Sequence, residues 1–257
     1  MLLAIDIGNT NIKLGVWNGR SWEQRWRLRT DLTKTSDEYE ISLSVLLRKQ
    51  KLDGKIDRVI MASVVPPLTR IFQMVCEQFL GETAVLVNAD LDTGIRILAD
   101  DPYAVGADRI VNVAAAHTLY PGPAVVIDMG TATKFEIVTT NGDFHGGVIA
   151  PGLRIIADAL ASRAAQLGHV ELIPPPQVIG RNTIHAIQSG LIHGYVGLIE
   201  GILKQVFSQH PEQDQPIQVI GTGGLISVIA PHTKMIDRID DSLTLTGLRL
   251  ISERVSL

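Results

Sequence analysis

The feature that most constrains this chain is a block of sequence that occurs twice. Residues 4–10 read Ala-Ile-Asp-Ile-Gly-Asn-Thr, and residues 126–133 read Val-Ile-Asp-Met-Gly-Thr-Ala-Thr. Each is an apolar strand, an Asp, an apolar residue, a Gly and then small hydroxyl or amide side chains. The likeness continues beyond the block: Ile12 to Trp17 leads to Asn18-Gly19, and Phe135 to Val138 leads to Asn141-Gly142. Asn-Gly between strand-like runs predicts a type I′ hairpin turn, because both residues tolerate a positive φ. A repeat of this length means one structural plan used twice, each copy opening with a three-stranded meander around an Asp-bearing turn.

After each meander the hydrophobic period changes. Thr35-Ser36-Asp37-Glu38 offers a capping box, and Tyr39, Leu43, Leu46 and Leu47 follow at helical spacing. Arg58 to Val65 reads as a buried strand stopped by Pro66-Pro67. Leu68, Ile71, Phe72, Val75, Phe79 and Leu80 predict a second amphipathic helix, Ala84 to Val87 another strand, and Ala107 to Leu119 another helix. Pro121-Gly122-Pro123 is the clearest boundary, which places the domains at residues 1–120 and 121–257. Beyond it, Leu153, Ile156, Leu160, Ala164 and Leu167 mark a helix, Asn182 to Phe207 a longer one, and Ile217 to Ile220 a last strand before Thr222-Gly223-Gly224. The long helix carries Gly190, Gly194, Gly197 and Gly201 along one side. Each costs about 1 kcal/mol relative to Ala, so something is expected to approach that side closely. A second helix of the same chain is the preferred candidate, with a nucleotide or a dimer partner as the alternative. Strands interleaved with helices in two similar halves give a duplicated α/β fold.

Several chemistries drop out. The Gly-Lys pair Gly54-Lys55 is followed by Ile56, so there is no P-loop, and no Gly-x-Gly-x-x-Gly, His-Glu-x-x-His or Gly-x-Ser-x-Gly occurs. A net charge of −4 carries no footprint for nucleic acid or an anionic membrane, and no apolar run approaches the roughly 20 residues of a membrane span. Asp6 interrupts the apolar N-terminus before a signal-peptide core forms, and the lone Cys76 allows no intrachain disulfide. Cys76 is read as a packing residue, and a reducing cytoplasm is the expected compartment.

The duplicated turn is the strongest candidate site. Gly8 with Asn9, Thr10 and Asn11 can converge N–H groups and side-chain donors on a polyphosphate. An Asp in such a turn repels phosphate unless a cation lies between them, so Asp6 and Asp128 point to metal-mediated contact of the kind Mg²⁺ makes. The bland reading is that each Asp caps its own turn. Gly106-Ala107-Asp108-Arg109 forms another candidate at a helix start. There Asp108 either simply complements the helix dipole, or accepts a substrate hydroxyl proton while Arg109 balances charge on a transferring phosphoryl group.

These residues fall into a known series. Asp6 to Asn11, Ala62-Ser63-Val64-Val65-Pro66, Gly106 to Arg109, Asp128-Met129-Gly130-Thr131-Ala132-Thr133, Gly146-Gly147-Val148-Ile149-Ala150-Pro151-Gly152, Thr222-Gly223-Gly224 and Leu243-Thr244-Leu245-Thr246-Gly247-Leu248 resemble, in order, the motifs of the type III pantothenate kinases. The resemblance implies a duplicated actin-like ATPase (ribonuclease H-like) fold with a nucleotide cleft between its domains. It also implies ATP-dependent phosphorylation of pantothenate to 4′-phosphopantothenate, the first step of coenzyme A biosynthesis, by a homodimer using ATP with Mg²⁺ and a monovalent cation, K⁺ or NH₄⁺. Carried over by position, Asp6, Ile7, Gly8, Asn9, Thr10, Asn11, Ile12 and Lys13 form the ATP phosphate loop, with Asp6 near the magnesium. Thr131 touches ATP, and Asp108 is the proton acceptor. Ala99, Gly106, Ala107, Asp108, Arg109 and Thr183 line the pantothenate site, and Asp128 binds the monovalent cation rather than a second magnesium.

The sequence also departs from the pattern. Ala99 stands where an aromatic residue is usual, with Tyr103 nearby as a replacement ring, and Asp101 stands for Asn before Pro102. Lys134 stands where the family usually continues with Thr. Its strand position is read as pointing to solvent, against two alternatives in which it helps hold anions or displaces the monovalent ion. Two other functions remain open on sequence: a kinase of the same superfamily with another hydroxyl or carboxylate acceptor, and a nucleotide-binding transcription accessory protein without kinase activity.

Overall fold

The chain opens with a meander of β1 (Leu2–Ile7), β2 (Asn11–Trp17) and β3 (Trp22–Arg29), followed by helix α1 (Ser36–Lys49), strand β4 (Arg58–Ser63) and helix α2 (Pro66–Val75). The short strands β5 (Val85–Leu86) and β6 (Arg96–Ile97) precede α3 (Ala107–Leu119), inside which the first compact unit, Met1–Ala115, ends. The second unit, Ala116–Asp241, contains β7 (Ala124–Met129), β8 (Ala132–Val138), β9 (Asp143–Pro151), α4 (Leu153–Arg163), α5 (Thr183–Gln209), β10 (Gln218–Thr222), α6 (Ile226–Ile229) and β11 (Arg238–Ile239). The last helix, α7 (Leu243–Arg254), belongs to the first unit again. This computed structural model describes residues 1–164 and 167–255.

The repeat read from the sequence is a repeat of topology. In the first unit the strand order is β3-β2-β1-β4-β5, and in the second β9-β8-β7-β10-β11. The first strand of each meander pairs antiparallel with the second and parallel with the strand that follows the helices. Such a central strand must be apolar on both faces, and Leu2–Ile7 and Ala124–Met129 are buried throughout. One face carries Leu3, Ile5 and Ile7, which pack with Ile12 and Leu14 under Tyr39, Leu43 and Leu47 of α1 and Leu68, Phe72 and Val75 of α2. The matching face in the second unit carries Val125, Ile127 and Met129, packed with Phe135 and the Ile192, Tyr195, Ile199 and Leu203 stripe of α5. Period-2 alternation therefore puts Asp6 and Asp128 on the opposite face of their sheets, near the C-terminal end of the strand.

The local signals hold in most places. The capping box at Thr35 and Glu38 is formed in both directions. Pro66 starts α2, where its missing N–H costs nothing. Past Val75, however, the expected helix widens into a π-turn, Cys76–Leu80, closed by Gly81 at φ 72°. Cys76 is fully buried there, and desolvation pushes its thiol pKa up to about 12, so it is a packing residue.

Four expectations are corrected. The Asn-Gly turns are not type I′: Gly19 and Gly142 have positive φ, but neither Asn does. Asn18 works through its side chain instead, accepting from the N–H groups of Arg20 and Ser21, and a register shift in each hairpin absorbs the extra residue. The division at residue 120 with everything beyond it in one domain also fails. The buried face of α7, Leu243, Leu245, Leu248 and Ile251, serves the first unit, where Leu245 reaches Gly15 of β2 and Gly247 lies against Val111 of α3. Among the described residues no second helix covers the glycines of α5: a Cβ at Gly190, Gly194, Gly197 or Gly201 would meet nothing within 4 Å. Finally, α4 ends at Arg163, so Leu167 lies beyond it.

Candidate active site

In the first unit the turn between β1 and β2 is closed by the Gly8 N–H donating to the Asn11 carbonyl at 3.0 Å. Thr30, just past β3, fixes it from behind: its hydroxyl donates to the Gly8 carbonyl at 2.6 Å, and its N–H to the Thr10 carbonyl at 3.1 Å. Acceptor atoms of the loop are thereby consumed inside the protein, while Asn9 and Thr10 stand exposed. That is the polarity an anion-binding loop requires. Ile7 and Ile12 are fully buried, so their part in the loop is played by backbone alone. Asp6 and Lys13 are directly opposite one another across β1 and β2, and the ammonium lies 3.3 Å from the carboxylate. A divalent ion fits this turn by its donor set: one nearly buried carboxylate, Asp6, beside exposed Asn9 and Thr10, with phosphate oxygens and water completing the shell.

Asp108 comes to the same end of the same sheet through Val64. The Val64 N–H donates to the Ile7 carbonyl at 3.1 Å, extending the β1–β4 pairing by one residue. Its side chain then touches Gly106, where a Cβ would be 3.3 Å from Val64 Cγ1 and 2.8 Å from Asp108 Oδ1. Asp108 occupies the first turn of α3, its carboxylate accepting from the Arg109 N–H at 2.8 Å, and a helix N-terminus suits a negative charge. Ser63 stabilises the corner before α2, receiving hydrogen bonds from the Val65 N–H and from the Thr69 hydroxyl at 2.7 Å. The motifs at Asp6, Val64 and Asp108 are thus brought together beyond the C-terminal ends of parallel strands, where open α/β sheets bind ligands. Ala99 lies half-buried in the loop after β6. Asp101, despite replacing Asn, still caps the short turn Pro102–Ala104. Tyr103 is 73% exposed, its hydroxyl donating to Asp90, so its ring faces solvent.

In the second unit the corresponding turn is closed by the Gly130 N–H donating to the Ala132 carbonyl, and Thr131 is exposed. Gly152, the N-cap of α4, lies so close to this turn that a Cβ there would be 2.1 Å from the Thr131 carbonyl oxygen. The Tyr195 hydroxyl from α5 ties β8 to β9, meeting the Thr133 hydroxyl at 2.5 Å and donating to the Pro151 carbonyl at 2.9 Å. Asp128 faces Lys134 across β7 and β8 in the register that Asp6 and Lys13 occupy in the first unit. Lys134 does not point to solvent. Its ammonium lies 2.7 Å from Asp128 Oδ2 and its side chain is only 13% exposed. The other oxygen, Oδ1, sits against Gly223, where an added Cβ would be 2.7 Å away. A monovalent cation therefore does not fit on Asp128 as the resemblance implied, because a covalently attached cation already stands there. Thr183 opens α5, exposed beside its cap Asn182, at the rim of a groove of about 440 Å³ lined by Ile156, Leu160, Leu167, Ala186 and Ile187.

Sequence reasoning missed two residues here. Thr30 holds the Gly8–Asn11 turn but sits distant in sequence, with no local signal beyond its place at the end of β3. Glu136 is fully buried on the same face as Lys134, two residues along β8. Its signal was available, as charges at alternate positions in an otherwise apolar strand.

Among solved structures with the same fold are a 2-dehydro-3-deoxygalactonokinase from Sinorhizobium meliloti (described as putative), with TM-score 0.62 and 14% identity, covering 99% of this chain and 97% of that one, and a conserved protein from Campylobacter jejuni, described as a putative Baf family transcriptional activator, with TM-score 0.61 and 20% identity, covering 99% and 100%. These structures share with this chain a fold of two α/β sheets of duplicated topology, each with an Asp-bearing turn in this chain. Residues 2–205 match the sequence model of type III pantothenate kinase, and the chain belongs to that family. It is 45% identical over 255 residues to the type III pantothenate kinase of Moorella thermoacetica, covering 99% of each chain, and 45% identical over 254 residues to that of Roseiflexus castenholzii, covering 98% of each. Its activity is phosphorylation of pantothenate for coenzyme A biosynthesis, with ATP and a divalent metal.

Proposed function

We propose that the first unit carries the reacting groups: the Asp6–Lys13 turn receives the ATP phosphates, Asp108 accepts the proton of the pantothenate hydroxyl, and Arg109 offsets charge on the transferring group. The observation that supports this reading is Val64, hydrogen-bonded to Ile7 on one side and packed on Gly106 on the other, which holds Asp108 at the strand ends beside the Asp6 turn. Gly106 and Ala107 shape the acceptor site around Asp108, with Ala99 as part of its wall. In the second unit we assign Thr131 to the nucleotide and Thr183 to pantothenate. Asp6 would hold the metal, which when bound would supply charge neutralisation on the phosphate oxygens.

Phosphoryl transfer passes through a loose transition state, so positioning and charge stabilisation carry more of the rate than proton removal. Lys13 and the donors of the turn hold the phosphate chain in line, and Asp108 fixes the hydroxyl's direction before taking its proton. Asp108→Asn keeps size and hydrogen bonding but removes the acceptor, so turnover falls by about 100-fold or more while ATP affinity stays within a few-fold. ADP release measured with and without pantothenate tests this; a purified Asp108→Asn enzyme turning over at near wild-type rate refutes the role.

The functional form is a homodimer built on the glycine side of α5, which no other part of the described residues covers and which is otherwise an uncompensated loss of helix stability. The enzyme works in the cytoplasm, consistent with its one, buried, cysteine; among the described residues no helix is long and apolar enough to cross a membrane.

A further inference from the structure

We propose that the Lys134 ammonium is the resident monovalent cation of this enzyme, so that the chain neither binds nor needs K⁺ or NH₄⁺ at Asp128. An ammonium on a lysine side chain carries the same charge as a bound NH₄⁺ and offers the same N–H donors to a carboxylate. Here it sits 2.7 Å from Asp128 Oδ2, with both side chains almost buried, at 13% and 11% exposure. The strand pairing fixes this placement: Lys134 is directly opposite Asp128, and cross-strand neighbours on one face meet without any search.

Three further observations leave little for a free ion to do. Asp128 Oδ1 is backed by Gly223, whose φ of 95° and contact with Met129 allow no side chain to replace the close approach. Glu136 adds a second buried carboxyl group to the same face of β8, two residues from Lys134, and crowds the side of Asp128 that a free ion would have to approach. The contrast with the first unit points the same way: there the cross-strand pair of Asp6 and Lys13 is looser, at 3.3 Å with Lys13 26% exposed, and leaves the carboxylate room for an ion that the tighter Asp128–Lys134 pair does not. Thr at position 134, the usual family residue, has no charge to give and leaves Asp128 to be neutralised from solution. Tethering raises the effective concentration of the cation far above that of any free ion, and makes the site indifferent to the salt around it.

This rests on the kinase assignment of the Asp128 region, so the test reads ion binding as well as turnover. Wild type and Lys134→Thr are compared at constant ionic strength in KCl, NH₄Cl and choline chloride, by pantothenate-dependent ADP release, by thermal melting, and by equilibrium binding of Tl⁺ as the K⁺ probe. Wild type is expected to turn over within about two-fold in all three salts, to melt at the same temperature in each, and to bind no stoichiometric Tl⁺ at millimolar concentration. Lys134→Thr is expected to lose at least ten-fold activity in choline, to recover it in K⁺ or NH₄⁺, and to bind one Tl⁺ per chain. Ten-fold stimulation of wild type by K⁺, or one Tl⁺ per wild-type chain, overturns the proposal. So does a folded Lys134→Thr that is equally active in choline, or inactive in every salt. Should Lys134→Thr fail to fold, the wild-type Tl⁺ and melting measurements decide alone. Because Tl⁺ binding needs no turnover, an error in the catalytic assignment is distinguished from an error about the lysine.

Discussion

Gly223 and Gly224 are neighbours in sequence and opposites in what they tolerate. Gly223 has a φ of 95°, and an added Cβ would lie 2.6 Å from both the N and O of Met129 and 2.7 Å from Asp128 Oδ1. Two of those three atoms are backbone of the central strand β7, which is hydrogen-bonded on both sides and cannot give way. For Gly223→Ala the left-handed backbone costs about 1–2 kcal/mol and the forced overpacking about 1–3 kcal/mol more. Even the low end of that range lowers the melting temperature by roughly 5 °C for a chain of this size, and the high end by roughly 15 °C. Gly224 has no such neighbour and no positive φ, so Gly224→Ala stays within about 0.5 kcal/mol of wild type. Thermal melting of the two variants side by side is the assay, with ADP release on the same samples at a temperature where both are folded. Gly223→Ala should also lose turnover, because the atom it pushes is the Asp128 carboxylate. A Gly223→Ala protein that melts within about 1 °C of Gly224→Ala refutes the close packing of β10 on the Asp128 turn.

His210 gives a pH prediction. It is 2% exposed and its Nδ1 accepts from the Glu212 N–H, so burial, the main cause, together with the nearby His145, outweighs the opposing effects of the Val138 backbone and Glu212 and holds its pKa below the ordinary 6.5. The unfolded chain then binds the extra proton, so stability is full above about pH 6.5 and falls as the pH drops toward the lowered folded value. Urea midpoints from pH 7.5 to 5 should show this slope, and His210→Asn should flatten it; equal slopes remove His210 as the cause. The proposed dimer contact on the glycine side of α5 gives another: an added Cβ at Gly197 meets nothing within 4 Å among the described residues, so Gly197→Arg should match wild type in far-ultraviolet circular dichroism while sedimentation shifts from dimer to monomer. An unchanged dimer places the interface elsewhere.

The parts of this structure legible in the sequence are those set by short-range rules. The repeated Asp-turn blocks, the capping box at Thr35, the Pro66 start of α2 and the long α5 each follow from a few adjacent residues. What was not legible depends on partners far away in the chain. Nothing in Leu243 to Arg254 says that its apolar face returns to β1, β2 and β4 rather than staying with the strand before it. The Asn-Gly turns looked like tight hairpins because Asn tolerates positive φ, but Asn18 gains more by accepting two N–H groups with its side chain, and Gly alone takes the left-handed position. At the candidate site, the motifs single out Asp6, Asp108 and Asp128 as candidates, whereas the places of Thr30 and Glu136 and the direction of Lys134 needed strand register. Pairing position decides whether a strand lysine meets water or a carboxylate.

Register also explains how one plan, duplicated, serves two purposes. Both units place a lysine opposite the aspartate of the turn, yet the pairs differ in grip. Lys13 is 26% exposed and 3.3 Å from Asp6, whereas Lys134 is 13% exposed and 2.7 Å from Asp128. A looser, wetter ammonium can share its donors with a second anion, as the proposed phosphate site at Lys13 requires, while a tight and drier one has its charge spent on the protein. The loops around them follow the same division. The first turn is held from behind by Thr30, leaving Asn9 and Thr10 outward, and the second is packed against Gly152 and Gly223, which leave no space between turn and support. Duplication supplied two equivalent charge pairs; burial left one of them partly open to solvent and made the other a fixed part of the scaffold.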